Sequence, residues 1–213
     1  MAAGEAQDGV IKFELRYTRS GPLGFAPLRA LNAWRTLLHR LGLIGRDPLR
    51  YGGVGFGNVS QRLGASVYPF AITGTQTGGL PALDSQHYAL IEDCDIARNR
   101  VVARGPIEPS SESLTHAMLY RLSADIQCVL HVHAPLLWRS AQALGVPFTH
   151  PDVAYGTPAM AEEMERLYRA GDLARRGVAA MGGHADGVVA FGVDADAAGF
   201  ALLGAFVEAL ARD

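Results

Sequence analysis

The run Ile126-Gln127-Cys128-Val129-Leu130-His131-Val132-His133-Ala134-Pro135 constrains this chain more than any other stretch. Ile, Val, Leu and Val in close succession, stopped by a proline, predict a short buried strand. Side chains in a strand alternate faces, so His131 and His133 point the same way, with Cα atoms about 7 Å apart. Two imidazoles on one face can converge on one divalent ion, because neutral imidazole is a common ligand for zinc and its neighbours. By itself the pair does not decide between a metal site and a chance His-x-His on an ordinary strand. Cys128, three residues before His131, faces away from that side if the strand is regular.

Around this run, strand and helix patterns alternate. Ile11–Tyr17 reads as an edge strand. Pro27–Leu41 reads as an amphipathic helix with Leu28, Leu31, Trp34, Leu37, Leu38 and Leu41 on one face and Arg29, Arg35 and Arg40 largely opposite. A glycine-dense segment, Tyr51 to Ser60, follows, in which Asn58 and Ser60 could present polar groups to a ligand that approaches the backbone closely. Its other reading is a bulged strand and loop. Ser66–Ile72 reads as a strand leading into Thr73-Gly-Thr-Gln-Thr-Gly-Gly79, which matches neither a P-loop nor GxGxxG. Tyr88–Glu92 and Arg100–Arg104 read as a strand pair. Ser110 is the expected N-cap of a helix carrying Leu114, Met118, Leu119 and Leu122, with Glu112 in its first turn. Paired serines at a helix N-terminus can also make an anion site. His116, one turn beyond Glu112, reads as a packed or capping histidine. Leu136–Leu144 and Pro158–Arg169 read as helices, Gly177–Met181 and Gly187–Phe191 as strands around His184, and Ala195–Leu210 as a final helix capped by Asp194 or Asp196. Strands interleaved with helices make this an α/β chain.

Composition narrows the function. With 213 residues and 49% hydrophobic residues the chain has ample core for one domain spanning 1–213, and residues 1–10 are expected to be flexible. A net charge of −2 argues against a nucleic-acid surface. No apolar run reaches the length of a membrane span, and the N-terminus lacks the pattern of a secretory signal, so a cytoplasmic protein is expected. Cys94 and Cys128 do not form a disulfide framework. The basic residues are eighteen Arg and one Lys, Lys12, a poor candidate for Schiff-base catalysis. If carbonyl compounds are handled here, a metal is the better electrophile.

Several motifs stand in one order: Gly57-Asn58-Val59-Ser60-Gln61-Arg62, Ile72-Thr73-Gly74-Thr75, Pro109-Ser110-Ser111-Glu112, His131-Val132-His133-Ala134-Pro135 and Gly183-His184-Ala185-Asp186-Gly187. Together they resemble the class II aldolase/adducin family, over about residues 28 to 210. The resemblance implies a three-layer α/β/α sandwich with a central, mainly antiparallel sheet, often assembled as a homotetramer. It implies one divalent metal per subunit, zinc foremost with manganese or cobalt as alternatives, held by His131, His133 and His184. Glu112 matches the acidic residue that binds the resting metal and serves as base. Asn58, Thr73, Thr75, Ser110 and Ser111 match the pocket for a substrate phosphate.

That resemblance also implies a reaction. A metal with three protein ligands and an open position is a Lewis acid toward a ketone oxygen. Retro-aldol cleavage of a small phosphorylated ketose is the expected chemistry, with a sugar-phosphate 4-epimerase as the alternative; dehydratase, decarboxylase or adducin-like scaffold roles rank lower. Three departures stand out. Asp152 occupies the loop position where fuculose-phosphate-type aldolases carry a tyrosine and ribulose-phosphate 4-epimerases an aspartate, which makes it a second candidate catalytic residue. No tyrosine follows Tyr168, although both groups use one in a C-terminal tail. Gly74 and Gln76 replace the usual Pro and Gly of the phosphate loop.

Overall fold

The computed structural model describes Ile11 and residues 13–213. Lys12 and residues 1–10, with the expectations placed on them, lie outside the described residues. The strands are β1 (Glu14–Arg19), β2 (Gly45–Arg46), β3 (Gly55–Phe56), β4 (Asn58–Arg62), β5 (Phe70–Thr73), β6 (Tyr88–Asp95), β7 (Arg100–Gly105), β8 (Cys128–His133), β9 (Val178–Ala180) and β10 (Gly187–Gly192). The helices are α1 (Arg29–Arg40), α2 (Ser113–Leu122), α3 (Pro135–Ser140), α4 (Pro158–Arg169), α5 (Asp172–Arg176) and α6 (Ala195–Leu210).

Eight strands form one sheet in the order β1-β7-β6-β5-β4-β8-β10-β9. Every pairing in it is antiparallel except β1 with β7 at the edge. The buried run seen in the sequence is therefore interior: β8 lies between β4 and β10, and all six of its residues are buried. Alternation of side chains splits its load. Cys128, Leu130 and Val132 join the core under α1, α3 and α6, whereas Val129 joins the core under α2, α4 and α5. Cys128 thus faces away from His131 and His133 as the period of two demands. The result is the expected α/β/α sandwich around a mainly antiparallel sheet.

Some elements differ from the sequence pattern. Helix α2 starts at Ser113 with Glu112 at its N-cap position, so Ser110 is not the cap. Instead the Ser110 hydroxyl accepts the N–H of Glu112 (3.3 Å) and its carbonyl accepts from Ser113, forming a turn ahead of the helix. Asp194 caps α6 by accepting from the Ala197 N–H at 2.7 Å, while Asp196 accepts from the Trp34 indole at 2.6 Å. The helix expected over Leu136–Leu144 is regular only through Ser140. Leu37 in α1 and Leu41 just beyond it are exposed, and Arg35, expected to be outward, is buried. Arg35 stands four residues after Leu31 and three before Leu38, so the helix turns it to the same face as those leucines, and polar partners inside the fold receive it.

Candidate metal centre and substrate cleft

Three elements bring the histidines together. Strand β8 carries His131 and His133 on its α2-facing side, and β10 runs antiparallel beside it with Gly187 opposite His133. The turn between β9 and β10 then returns His184 to the same place. One ligand nitrogen from each of His131, His133 and His184 can be chosen so that all three lie within 4.8 Å of one another. All three residues are buried. The turn is possible because its glycines let it pass beneath the 149–153 loop: a Cβ on Gly183 would lie 2.0 Å from the Val153 carbonyl oxygen.

His131 is held in the form a metal needs. His131 Nδ1 lies 3.2 Å from the Val188 carbonyl, which can only accept, so Nδ1 carries the proton and Nε2 presents its lone pair. Burial foremost, then the neighbouring His184 and His133, pushes His131 well below the usual histidine range and keeps it neutral. Two tyrosines fix the other rings. Tyr155 stacks on His184 with centroids 4.3 Å apart, and Tyr51 meets His133 edge-on at 4.4 Å. The Tyr51 hydroxyl donates to Asp186 at 2.6 Å, tying the loop before β3 to the turn that carries His184. Tyr51, Tyr155 and Asp186 escape sequence reasoning as site residues. Only the place of Asp186 inside the Gly-His-Ala-Asp-Gly string offers a signal.

Glu112 stands at the start of α2, 2% exposed, with its carboxylate 3.7 Å from His184 Nδ1. It lines one cleft together with Asn58, Thr75, Ser110, Ser111 and His131, walled by Gly55 and by Gln76 to Gly78. Most of the predicted site thus meets in one place. Thr73 does not line that cleft: it is buried, and its hydroxyl accepts the Val59 N–H at 3.1 Å. Asp152 lies apart as well. Its side chain is 89% exposed, 3.6 Å from His150 in the loop before α4. His116 is packed beneath the site, as its pattern suggests. Its Nδ1 is 2.6 Å from the Ser60 hydroxyl, which also meets Tyr120 at 2.7 Å, and burial pushes it down to about 3.

Sheet order, flanking helices and a three-histidine cluster beside a buried glutamate define a class, and the sequence agrees. The chain belongs to the family described as the class II aldolase and adducin N-terminal domain, whose model matches residues 49–205. Among particular relatives, the chain is 35% identical over 79 residues to the methylthioribulose-1-phosphate dehydratase of Xanthomonas campestris pv. campestris, covering 37% of this chain and 33% of that protein. A dehydratase of the same name from Xanthomonas oryzae pv. oryzae is 31% identical over 105 residues, covering 42% of this chain and 47% of that protein. The matches therefore span a third to about half of those relatives. In fold, the chain is similar to L-fuculose-1-phosphate aldolase from Thermus thermophilus, with a TM-score of 0.62, 18% identity, and coverage of 86% and 90% of the two chains. A sugar-phosphate aldolase from Thermotoga maritima gives 0.63, 16% identity, and coverage of 87% and 94%. At such identities the likeness is one of architecture. No helix among the described residues is long and apolar enough to cross a membrane.

Proposed function

We propose that this protein is a divalent-metal-dependent lyase that cleaves a small phosphorylated ketose by a retro-aldol reaction. The observation that carries the reading is the convergence of His131, His133 and His184 with the buried carboxylate of Glu112 at the end of one cleft. The donor set fits a zinc-type ion, with manganese or cobalt as alternatives: three buried imidazoles leave room for a substrate oxygen, whereas structural zinc sites are closed by four protein ligands. When bound, such an ion supplies Lewis-acid polarisation of a substrate carbonyl.

The remaining steps fall to the protein. Asn58, Thr75, Ser110 and Ser111 line the cleft from three separate segments and offer amide and hydroxyl groups to a phosphate oxygen. Glu112, withdrawn from water, is placed to carry a proton at the carbon next to the carbonyl. In retro-aldol cleavage the hydroxyl on the next carbon gives up its proton as the bond between the two carbons breaks and an aldehyde departs; the electron pair left on the carbon beside the ketone takes a proton delivered by Glu112, so protons balance overall. Homo-oligomeric assembly, as a tetramer, belongs to the same reading and is checked by light scattering.

A second reading is a dehydratase of a ketose phosphate, favoured by the sequence similarity to the methylthioribulose-1-phosphate dehydratases. The same Glu112 would then remove the proton and hydroxide would leave from the next carbon, so the two reactions differ in what departs. The 4-epimerase alternative leans on Asp152, and the solvent-exposed position of that side chain away from the cleft gives it no support within one chain. The deciding experiment incubates zinc-loaded protein with a panel of ketose 1-phosphates. Released aldehyde supports the aldolase, a dicarbonyl product with loss of water supports the dehydratase, and a stereoisomer without net cleavage supports the epimerase. No turnover of any ketose phosphate with zinc, manganese or cobalt would overturn the lyase reading.

A further inference from the structure

Arg35 is a charged residue on the buried face of α1, four residues after Leu31 and three before Leu38, and is only 1% exposed. Its guanidinium donates to the carbonyls of Thr77 (2.8 Å), Gly78 (2.9 Å) and Leu80. No carboxylate among the described residues lies within ion-pair distance of it. Arginine does not give up its proton in a protein, so a full positive charge is buried against carbonyl dipoles, with no carboxylate of the described residues beside it.

The loop holding those carbonyls is also a wall of the cleft. Gln76, Thr77 and Gly78 line it opposite Ser110 and Ser111. The loop therefore stands between the buried cation and the place where a substrate anion would sit. In a trans peptide the N–H points opposite to the C=O. With the Thr77 carbonyl turned back to Arg35, the N–H of Gly78 is directed away from the guanidinium. Gly55, another lining residue, packs beside this peptide: a Cβ there would lie 3.4 Å from the Gly78 nitrogen. That peptide dipole thus presents its positive end on the side away from the cation, and the charge behind it adds to the same field. The loop cannot drift from this position easily. A Cβ at Gly78 would lie 2.7 Å from the carbonyl oxygens of Gly45 and Phe56, and Gln76 accepts from the Gly55 N–H at 3.0 Å.

We infer that Arg35 is a positioning residue for anion recognition: through the peptide groups of residues 77–80, its buried charge favours a phosphate-class substituent of the substrate in the cleft. The inference rests on the sugar-phosphate reading above. It also gives this chain a source of phosphate affinity in a loop where Gly74 and Gln76 replace the residues of the familiar pattern.

Titration calorimetry with inorganic phosphate on zinc-loaded protein tests it, comparing the parent with Arg35→Lys and Arg35→Gln. Lysine keeps the charge and loses the planar fork; glutamine keeps neutral donors and loses the charge. The expected result is phosphate affinity within about threefold of the parent for Arg35→Lys and at least ~tenfold weaker for Arg35→Gln, with zinc content unchanged in both. Equal weakening in the two variants would assign Arg35 to loop geometry alone and overturn the inference, as would parental affinity in Arg35→Gln. If Arg35→Gln does not fold, Leu80→Glu serves instead. It places a carboxylate at a 39%-exposed position whose own carbonyl Arg35 holds. A severalfold loss of phosphate affinity is expected there, and parental affinity overturns the inference. A parent that takes up zinc yet binds no phosphate removes the sugar-phosphate reading and the inference with it. A parent that binds phosphate beside an unaffected Arg35→Gln removes the inference alone.

Discussion

His133→Ala removes one of three nitrogens that a metal would share, whereas Glu112→Gln keeps the size of the side chain and removes only its ability to carry a proton. The two variants should therefore separate. His133→Ala is expected to lose most bound zinc by elemental analysis and with it all turnover. Glu112→Gln is expected to retain most of the zinc while kcat falls by about 10²–10⁴, the range typical of a lost acid–base group. Equal kcat in Glu112→Gln and parent removes Glu112 from the mechanism. At this scale much was legible: the two-residue spacing of His131 and His133 guaranteed a shared face once the strand was recognised. Thr73 and Asp152 show the limit. Both sit in strings that match a family pattern, yet one hydroxyl is taken by the Val59 backbone and the other side chain faces water. Motif matching names a position in the chain and not the neighbours that position meets.

Among the elements, the β9–β10 turn and the loop before α4 bear the closest constraints. Gly183→Ala would force a methyl to within 2.0 Å of the Val153 carbonyl oxygen, so the turn or the loop must shift. A loss of about 1–3 kcal/mol in urea denaturation is expected, together with weaker zinc binding because His184 moves with the turn. The same loop is pinned from α4. Glu163 accepts from Arg166 at 2.8 and 3.0 Å and from the His150 N–H at 2.9 Å, and these contacts, Arg166 first, hold its carboxyl down to about 2 from an ordinary 4.5. A depressed carboxyl stabilises the fold fully above pH 4.5 and loses that contribution as pH falls towards 2. Glu163→Gln should therefore cost about 1–2 kcal/mol at pH 7 relative to the parent, and the difference should close as denaturation is repeated down to about pH 2. A gap that stays constant with pH would mean the ion pair contributes nothing. Helix α1 marks what periodicity could not supply: spacing puts Arg35 on the face of Leu31 and Leu38, but only the fold brings the three carbonyls of a distant loop that satisfy its charge there.

For the molecule as a whole, a metal held by the three histidines would couple its binding to folding. The candidate ligands come from β8 and from the β9–β10 turn, about fifty residues apart in sequence, so the unfolded chain has no such site to offer. Free zinc at about 100 times its dissociation constant should then raise stability by about 2.7 kcal/mol, seen as an increase in Tm that a chelator reverses. In His133→Ala the increase should vanish; an unchanged zinc response in that variant would place the binding elsewhere.

The sequence by itself determined the alternation of strands and helices, the burial of β8, the common face of His131 and His133, and the outward turn of Cys128 from that face. These follow from local periodicity, which short-range sterics enforce wherever the strand ends up. The ordered motifs named His184 and Glu112 as partners of that pair, but only the tertiary structure decided how the four stand together, that Tyr51 and Tyr155 hold the rings, that Asp152 lies away from the cleft, and that the carbonyls of residues 77–80 receive Arg35. Each of those depends on contacts between residues far apart in the chain, and no local pattern encodes which distant carbonyl, ring or carboxylate will be waiting when the layers close.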